Sequence, residues 1–324
     1  MSKTDSIVKP VAAEMKEFNT FFRDYLTSNT RILNIVTRYI IKTKGKQMRP
    51  MLVFLSAKLF GDIKPSAFHA ATMIELMHTA TLIHDDVVDD SDMRRGFFSI
   101  NVVWKNKIAV LVGDYLLAKG LLLSVEKNEY DLLRIMSDAV KEMSEGELLQ
   151  IEKARKQDIS EELYLRIIRK KTSVLIASCA SAGSTAAGAD KETSEKMYRF
   201  GESLGMAFQI KDDLFDFVPG NKTGKPWGND LREKKITLPL IHTLHNCDSS
   251  EKRKILRIVN QKKIDDSHIR TIVDIINKYN GFEYATGKMN EYVKTASDIL
   301  NTFPDNEARN SLFSFVDYVV DREK

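Results

Sequence analysis

The sequence contains few of the residues that interrupt helices or cross-link chains: 15 glycines, 7 prolines and 2 cysteines among 324 residues. Scarce glycine and proline disfavour a turn-rich β architecture and favour long helices. Two cysteines, Cys179 and Cys247, are too few for a disulfide framework, and no CxxC pair indicates a zinc site. This cysteine usage fits a reduced, cytoplasmic setting.

Long apolar runs and an excess of one charge are also missing. The most apolar stretch, residues 108–125, is interrupted by Asp114 and Lys119, so we expect no transmembrane segment. The N-terminus, MSKTDSIVKP, lacks the apolar core of a secretory signal. The net charge of +4 comes from 49 basic and 45 acidic residues, a balance that argues against nucleic-acid binding.

Apolar residues recur at three- and four-residue spacing almost throughout, and hairpin signals are absent, so the sequence predicts an all-α fold. Since 43% of the residues are hydrophobic, we expect one large helical domain, residues 1–324, built as a bundle around a central cavity. The predicted helices cover residues 7–28, 30–43, 50–60, 65–91, 105–127, 131–156, 160–188, 193–217, 236–246, 249–260, 267–278, 281–300 and 306–321.

An acidic cluster follows the apolar part of the helix predicted from residue 65. Asp85, Asp86 and Asp89 have the spacing DDxxD, which puts Asp85 and Asp89 one turn apart on one helix face. Carboxylates so close repel each other, and a helix C-terminus disfavours them further unless a cation is bound. Mg²⁺ is held in this way, by one or two carboxylates plus substrate phosphates. Taken alone, the cluster is also consistent with a solvated acidic helix end.

A second cluster, formed by Asp212, Asp213 and Asp216, repeats this spacing inside the apolar segment GMAFQIKDDLFDF. Burying an unpaired carboxylate costs several kcal/mol, so three within one turn require cations or water. Two such clusters in one helical chain, each followed by basic residues, predict a shared metal–diphosphate centre. Arg94 and Arg95 directly follow the first cluster, which suits diphosphate binding.

These motifs resemble, in order, those of the trans-isoprenyl diphosphate synthase (polyprenyl synthetase) family over roughly residues 43–245. GKQMRP at 45–50 resembles the family segment GGKxxRP, with Lys44 replacing one glycine. HDDVVDDSDMRRG at 84–96 and FQIKDDLFD at 208–216 resemble the two aspartate-rich motifs. Further landmarks are AVLVGDYLLA (109–118), EGELLQ (145–150), the pair Lys171–Thr172, and GKPWGNDLREKKITLP (224–239), in which Lys234 replaces the usual glycine and leaves the loop geometry open.

The resemblance implies a Mg²⁺-dependent prenyltransferase that ionises an allylic diphosphate and adds the carbocation to isopentenyl diphosphate. Separating diphosphate from a carbocation is the hard step, so stabilising the leaving group is the main task. Two or three Mg²⁺ ions would be held by Asp85, Asp89 and Asp212, with Asp86, Asp213 and Asp216 as direct or water-mediated ligands.

The resemblance also implies two diphosphate sites. Arg94, Lys171, Lys225 and Lys235 would surround the allylic diphosphate. Isopentenyl diphosphate keeps its diphosphate and would be held without metal, by Lys46, Arg49, His78 and Arg95. Thr172 and Gln209 would direct uncharged oxygens toward the carbocation, so the expected catalytic set is Lys171, Thr172, Gln209 and Lys235. No general base stands out, which leaves the departing diphosphate as the expected proton acceptor.

Small residues before the first cluster indicate a long product. In the family, bulky aromatic residues there block elongation, whereas this chain has Ala80 and Thr81, followed deeper by the deformable Met77. The segment is most like those of octaprenyl and heptaprenyl diphosphate synthases. We therefore expect a long all-trans chain started from farnesyl diphosphate, serving quinone side chains, with transient membrane contact for product release.

Other functions compete with this interpretation. A short-chain farnesyl or geranylgeranyl diphosphate synthase would share every motif except the chain-length residues. A class I terpene cyclase needs no second diphosphate site and usually lacks a second DDxxD. A non-catalytic subunit normally loses acids from its clusters, and a calcium-binding scaffold would show EF-hand spacing. By resemblance, helices near 105–127 and 131–156 would form a homodimer.

Overall fold

The computed structural model describes residues 3–94, 96–156, 160–219 and 227–321, and within these ranges it is almost entirely helical. A 3₁₀ turn, Lys9–Val11, lies between α1 and α2, and a π-helical turn, Arg169–Ser173, lies between α8 and α9. The α-helices are α1 Lys3–Val8, α2 Ala12–Tyr25, α3 Arg31–Lys42, α4 Met48–Lys58, α5 Pro65–Val88, α6 Ile100–Glu126, α7 Tyr130–Lys156, α8 Glu161–Ile168, α9 Val174–Ala187, α10 Lys191–Asp216, α11 Asn229–Arg232, α12 Leu238–Asn246, α13 Ser249–Val259, α14 Asp266–Lys278, α15 Gly281–Leu300 and α16 Glu307–Asp321.

The predicted all-α class is confirmed, and most helix ends lie within a few residues of their predicted positions. One departure is a short hairpin formed by β1 (Met93–Arg94) and β2 (Phe97–Phe98), with Met93 opposite Phe98. The expectation that hairpins are absent is therefore wrong at this point. Gly96, with φ +78°, supplies the left-handed residue that a two-residue connection requires. Two-residue strands are too short to produce a visible alternation of apolar and polar residues.

The chain divides into two compact units. Unit 1 comprises Met1–Val140, Ile176–Gly201 and Ile299–Phe315, and in it α5 packs along α6 and against α4. Residues 50–57 of α4 are buried without interruption. Gly183 of α9 permits close packing against α4, because a Cβ there would lie 2.3 Å from the Val53 carbonyl oxygen.

Unit 2 comprises Lys141–Leu175, Glu202–Asp298 and Val316–Lys324. Two glycines let helices approach the π-helical turn at its centre. A Cβ on Gly146 of α7 would lie 2.8 Å from the Lys170 Cβ, and one on Gly205 of α10 would lie 2.6 Å from the Ser173 Cα. The turn is therefore held between two helices at distances that only glycine permits. The apolar core of the unit consists of Phe217, Leu231, Leu240, Leu244, Ile255, Ile258, Val259, Ile264, Ile269, Ile272, Ile275 and Ile276.

Helix α6 is the one described helix long and apolar enough to cross a membrane by length and composition alone, a test that core helices also pass. It contains Asp114 and Lys119. The helix is also kinked: Lys105 has φ 69° and ψ 157°, a combination that is almost exclusive to glycine. Lys105 is exposed, so the strain is not offset by burial of its side chain.

We expect Lys105→Gly to raise the free energy of unfolding by about 1 kcal/mol, because glycine adopts this conformation without steric strain. Urea unfolding measures the change. Lys107→Gly is the matched control, since Lys107 is exposed and has no positive φ. The free energy of unfolding of this control should fall by about 1 kcal/mol, because glycine destabilises a helix interior by about that amount. A loss of stability in both variants would contradict the strain at Lys105.

Candidate active site

The first acidic cluster lies at the C-terminal end of α5. Asp85 and Asp86 belong to the last turn and Asp89 is the capping residue, whose N–H donates to the Asp85 carbonyl at 2.8 Å. No basic residue lies in that last turn, so the helix dipole and the carboxylates together create a negative site. Asp89 is exposed and Asp85 half-buried, whereas Asp86 is only 4% exposed.

Buried Asp86 is paired with Arg94 of β1. The Arg94 Nε donates to both carboxylate oxygens, at 2.9 and 3.1 Å, and its Nη2 donates to Oδ1 at 2.7 Å. This forked contact satisfies Asp86 and fixes the hairpin to α5. Arg94 stays a predicted diphosphate-binding residue, and the structure shows that it neutralises the one buried acid of this cluster.

A small cavity of about 80 Å³ lies next to this pair in unit 1. His78, Asp86 and Arg94 line it together with Lys44 and Glu75. Lys44 was noted from the sequence only as a replacement for glycine, and its φ is not positive, so glycine is not required there. Burial lowers the Lys44 pKa, with the charge of Glu75 acting in the opposite direction. Lys44 therefore adds a cation to this cavity, and the sequence motifs do not predict that cation.

Lys46 and Arg49, predicted with His78 for isopentenyl diphosphate, lie at the start of α4. Lys46 precedes the helix and is exposed, while Arg49 is in its first turn and half-buried. Gln47 between them has φ 51°, so the chain turns sharply there. Arg95 and Lys225, the remaining predicted basic residues, lie outside the described residues.

The second cluster is carried by the last turns of α10 in unit 2. Asp213 is 4% exposed. It accepts hydrogen bonds from the Tyr164 hydroxyl at 2.6 Å and from Gln209 Nε2 at 2.8 Å. Burial and then the charge of Asp230 raise the pKa of Asp213 to about 8, and the two hydrogen bonds act in the opposite direction. Burial and the Asp213 charge raise the pKa of Tyr164 well above its ordinary value, so the phenol stays a donor.

Asp216, the last acid of the cluster, is 9% exposed and bridges to the following segment. Its two carboxylate oxygens each accept a backbone N–H, from Asn229 and Asp230, both at 3.0 Å. These are the first residues of α11, whose N–H groups have no partner within the helix. Asp216 therefore caps α11 and fixes the chain that leads to Lys235. Asp212, by contrast, is half-buried.

A cavity of about 610 Å³ in unit 2 is lined by all four expected catalytic residues. Its polar wall contains Lys171 and Thr172 from the π-helical turn, Gln209 and Asp213 from α10, and Lys235 after α11. Apolar side chains also line the cavity, namely Leu163, Ile167, Ile236, Ile241, Leu256 and Val259. Residues 96 positions apart in the sequence, Leu163 and Val259, thus share one pocket that is lined by both charged and apolar side chains.

The two predicted catalytic lysines are held by carboxylates. The Lys171 ammonium pairs with Glu147 of α7, and the Lys235 ammonium lies 2.6 Å from Glu233 Oε2. Lys234, which replaces a family glycine, has φ 60° and keeps the left-handed conformation. Its N–H and that of Lys235 donate to Leu231 and Asp230 carbonyls, which closes α11. The backbone at Lys234 therefore retains a glycine-like geometry despite the substitution.

The donor chemistry of the two clusters suits Mg²⁺. All six side chains are carboxylates, the hard oxygen ligands that Mg²⁺ prefers. Within the described residues no three acidic, histidine or cysteine side chains are arranged to hold a metal ion. Asp85, Asp89 and Asp212 are the more accessible acids, while Asp86, Asp213 and Asp216 are buried among protein donors.

The residues predicted to set product length lie on α5 upstream of His84. His84 packs on α6: a Cβ on Gly113 would lie 2.1 Å from its Nε2. Ala80 and Met77 lie one and two turns earlier on that side of α5 and are 0% and 4% exposed. The Thr81 hydroxyl donates to the His78 carbonyl at 3.0 Å. Of the predicted length-determining residues, Ala80 and Met77 are thus buried and apolar, while Thr81 is half-buried and polar.

Sequence reasoning did not single out Tyr164 and named Glu147 only as a landmark. Tyr164 is 49 residues from its partner Asp213, and no local pattern connects them. Glu147 belongs to the segment EGELLQ, and its neighbour Gly146 gave the only signal, a glycine within a helix.

Comparison with known proteins gives a consistent result. The family model described as polyprenyl synthetase matches residues 30–276. Octaprenyl diphosphate synthase of Escherichia coli is 33% identical over 99% of both chains. A crystal structure of a decaprenyl diphosphate synthase from Rhodobacter capsulatus matches with a TM-score of 0.91 and 34% identity, over 99% of both chains.

A crystal structure of polyprenyl synthase from Caulobacter crescentus, complexed with calcium and isoprenyl diphosphate, matches with a TM-score of 0.90 and 32% identity. It covers 99% of this chain and 98% of that one. With a family model covering more than half of the sequence and relatives aligned over nearly all of it, this chain belongs to the polyprenyl synthetase family.

Proposed function

We propose that this chain is a prenyltransferase that condenses an allylic diphosphate, farnesyl diphosphate first, with successive isopentenyl diphosphates to a long all-trans polyprenyl diphosphate. The observation that carries the proposal is the cavity in unit 2, which Lys171, Thr172, Gln209, Asp213 and Lys235 line together with apolar side chains. The lysines suit a diphosphate, and the apolar side chains suit a hydrocarbon chain. The octaprenyl and decaprenyl synthases to which this chain is similar support a long product.

Two or three Mg²⁺ ions are proposed as the cofactor, with Asp85, Asp89 and Asp212 as ligands and Asp86, Asp213 and Asp216 acting directly or through water. The burial of the latter three among protein donors favours the water-mediated role. A calcium-bound relative supports a divalent-cation site. Bound Mg²⁺ would neutralise the diphosphate and make it a better leaving group. A cation would also favour ionised Asp213 over the protonated form that burial favours.

The protein's own groups would then perform distinct tasks. Lys171, Lys235, Arg94 and Lys225 hold the allylic diphosphate and stabilise the charge that develops on it. The π-helical turn presents Thr172, whose hydroxyl donates to Gln209 Oε1 at 2.7 Å. Oxygen lone pairs of these two neutral groups stabilise a carbocation without capturing it covalently.

The second substrate is assigned to Lys46, Arg49, His78 and Arg95. Its diphosphate is retained, so the site needs permanent cations rather than metal. Lys44, which lines a cavity with His78, adds to this positive charge. After bond formation the proton leaves to the released diphosphate.

We assign the growing chain to the buried side of α5 that carries Ala80, Met77 and Thr81. A quinone side chain is the expected use of the product, which implies transient membrane contact at release. The enzyme itself is placed in the cytoplasm, without a transmembrane segment or a nucleic-acid partner.

A homodimer is the proposed assembly. Helix α6 exposes a series of large apolar residues, with Leu111 and Leu121 both 54% exposed. Contiguous exposed apolar surface of this kind marks an interface. The other exposed apolar residues of α6 are Val102, Val103, Val110, Leu122 and Val125.

The decisive assay incubates the purified protein with farnesyl diphosphate, labelled isopentenyl diphosphate and Mg²⁺. We expect labelled prenyl diphosphates longer than geranylgeranyl, and no turnover with EDTA. Asp212→Asn should reduce kcat by at least about 100-fold, since removing a key electrostatic group costs about 3 kcal/mol or more. A cyclised hydrocarbon formed without isopentenyl diphosphate would indicate a terpene cyclase, and absence of turnover would indicate a non-catalytic subunit.

A second prediction concerns product length. Ala80→Phe or Ala80→Tyr should shorten the product, because Ala80 is fully buried and an aromatic ring would occupy the space assigned to the chain. Chromatography of the dephosphorylated products measures the length distribution. Val88→Phe, on the same helix at a position 67% exposed, is the control and should leave that distribution unchanged. An identical distribution in the wild type and the Ala80 variants would reject this location of the growing chain.

A further inference from the structure

Tyr164 is a buried phenol at the end of a chain of hydrogen bonds that leads to Thr172. Its hydroxyl donates to Asp213 Oδ2 at 2.6 Å, and Gln209 Nε2 donates to Asp213 Oδ1 at 2.8 Å. The Thr172 hydroxyl in turn donates to Gln209 Oε1 at 2.7 Å. Tyr164 is 7% exposed and Asp213 4%, so water does not compete freely for these bonds.

The chain has one direction: every donated hydrogen points toward Asp213. Both Asp213 oxygens accept hydrogen bonds, so Gln209 presents its NH₂ to Asp213 and its carbonyl oxygen to Thr172. The Thr172 hydrogen is then committed to Gln209. The lone pairs of Thr172 Oγ1 are left to face the 610 Å³ cavity that Thr172 lines. With the opposite amide orientation, Gln209 would donate to Thr172 and the hydroxyl hydrogen would point into the cavity.

The π-helical turn explains why Tyr164 and Thr172 reach the same partners. Tyr164 and Thr172 are eight positions apart, and in an uninterrupted α-helix their side chains would point about 80° apart around the axis. The π-helical turn Arg169–Ser173 advances each residue by a smaller angle and brings Thr172 back toward the face of Tyr164. Gly205 permits α10 to approach this turn closely enough for Gln209 and Asp213 to join them.

We propose that Tyr164 is a positioning residue for the proposed condensation: by holding Asp213 it fixes the amide orientation of Gln209 and so aims the Thr172 oxygen at the developing carbocation. This inference rests on the proposed function, because it assigns a role within that reaction. Tyr164 also lines the cavity, but its hydroxyl hydrogen is donated to Asp213. It acts through two intermediate side chains, so its removal should weaken the stabilisation of the carbocation more than the binding of either substrate.

The first test is Tyr164→Phe, which deletes the hydroxyl and keeps the ring. We expect kcat to fall about tenfold, the effect of losing one buried hydrogen bond. KM for both substrates and the Mg²⁺ concentration for half-maximal rate should change less than about twofold. Tyr284→Phe is the matched control, since Tyr284 also donates from its hydroxyl to a carboxylate, Glu161 at the start of α8. It should retain wild-type kcat.

A double-mutant cycle tests the route of the effect. If Tyr164 acts through Gln209 and Thr172, then Tyr164→Phe should lower kcat less than about twofold in a Thr172→Val background, where no hydroxyl is left to orient. A tenfold loss that persists in that background would overturn the proposal. So would a change confined to KM or to the Mg²⁺ requirement, or an equal loss in Tyr284→Phe.

Urea unfolding separates this inference from the proposed function. Tyr164→Phe should lower the urea midpoint of unfolding more when it is introduced into the wild-type protein than when it is introduced into Gln209→Leu. The reason is that the hydrogen bonds from Tyr164 and Gln209 share Asp213. Equal shifts of the midpoint in the two backgrounds would show that the two hydrogen bonds are not coupled, and would refute the inference even in an active enzyme. Coupled shifts in a protein without condensing activity would refute the proposed function but would support the series of hydrogen bonds from Tyr164 to Thr172.

Discussion

The central constraint on this molecule is the cost of placing carboxylates on apolar helices. Six aspartates occupy two helix ends, three of them buried, and a buried charge without compensation is strongly destabilising. The chain compensates each buried acid with fixed donors of a different kind. Asp86 is paired with the Arg94 guanidinium. Asp213 accepts hydrogen bonds from Tyr164 and Gln209, and Asp216 accepts them from the first backbone N–H groups of α11. The accessible acids, Asp85, Asp89 and Asp212, are the ones suited to exchange water for a metal ion.

These compensating contacts also build the pocket. The donors of Asp216 anchor α11, and the left-handed Lys234 then directs Lys235 into the wall of the cavity. The donors of Asp213 include Gln209, which receives the Thr172 hydroxyl. Gly146 and Gly205 bring α7 and α10 onto the turn that carries Lys171 and Thr172. The same interactions that make the acids tolerable therefore place the residues proposed to act on the substrate.

The sequence was sufficient to predict features that repeat over short distances. Helical periodicity predicted the all-α class and most helix ends, and the DDxxD spacing identified both clusters because residues four apart share a helix face. Features that depend on tertiary contacts were not predictable in this way. Residues 160–188 were expected as one continuous helix, yet α8 and α9 are separated by a π-helical turn fixed by neighbouring helices. The kink at Lys105, the two-residue strands, and the pairing of Tyr164 with Asp213 likewise leave no periodic signal.

The single-domain expectation, the metal ligands and the substrate assignments remain predictions, and they depend on whether the accessible acids bind metal together with a diphosphate. Calorimetric titration of the protein with inorganic diphosphate, with and without Mg²⁺, tests this most directly. We expect saturable binding only when Mg²⁺ is present, and loss of that binding in Asp85→Asn and in Asp212→Asn, both with unchanged thermal stability. Equal diphosphate affinity with and without Mg²⁺, or unchanged binding in both variants, would contradict it.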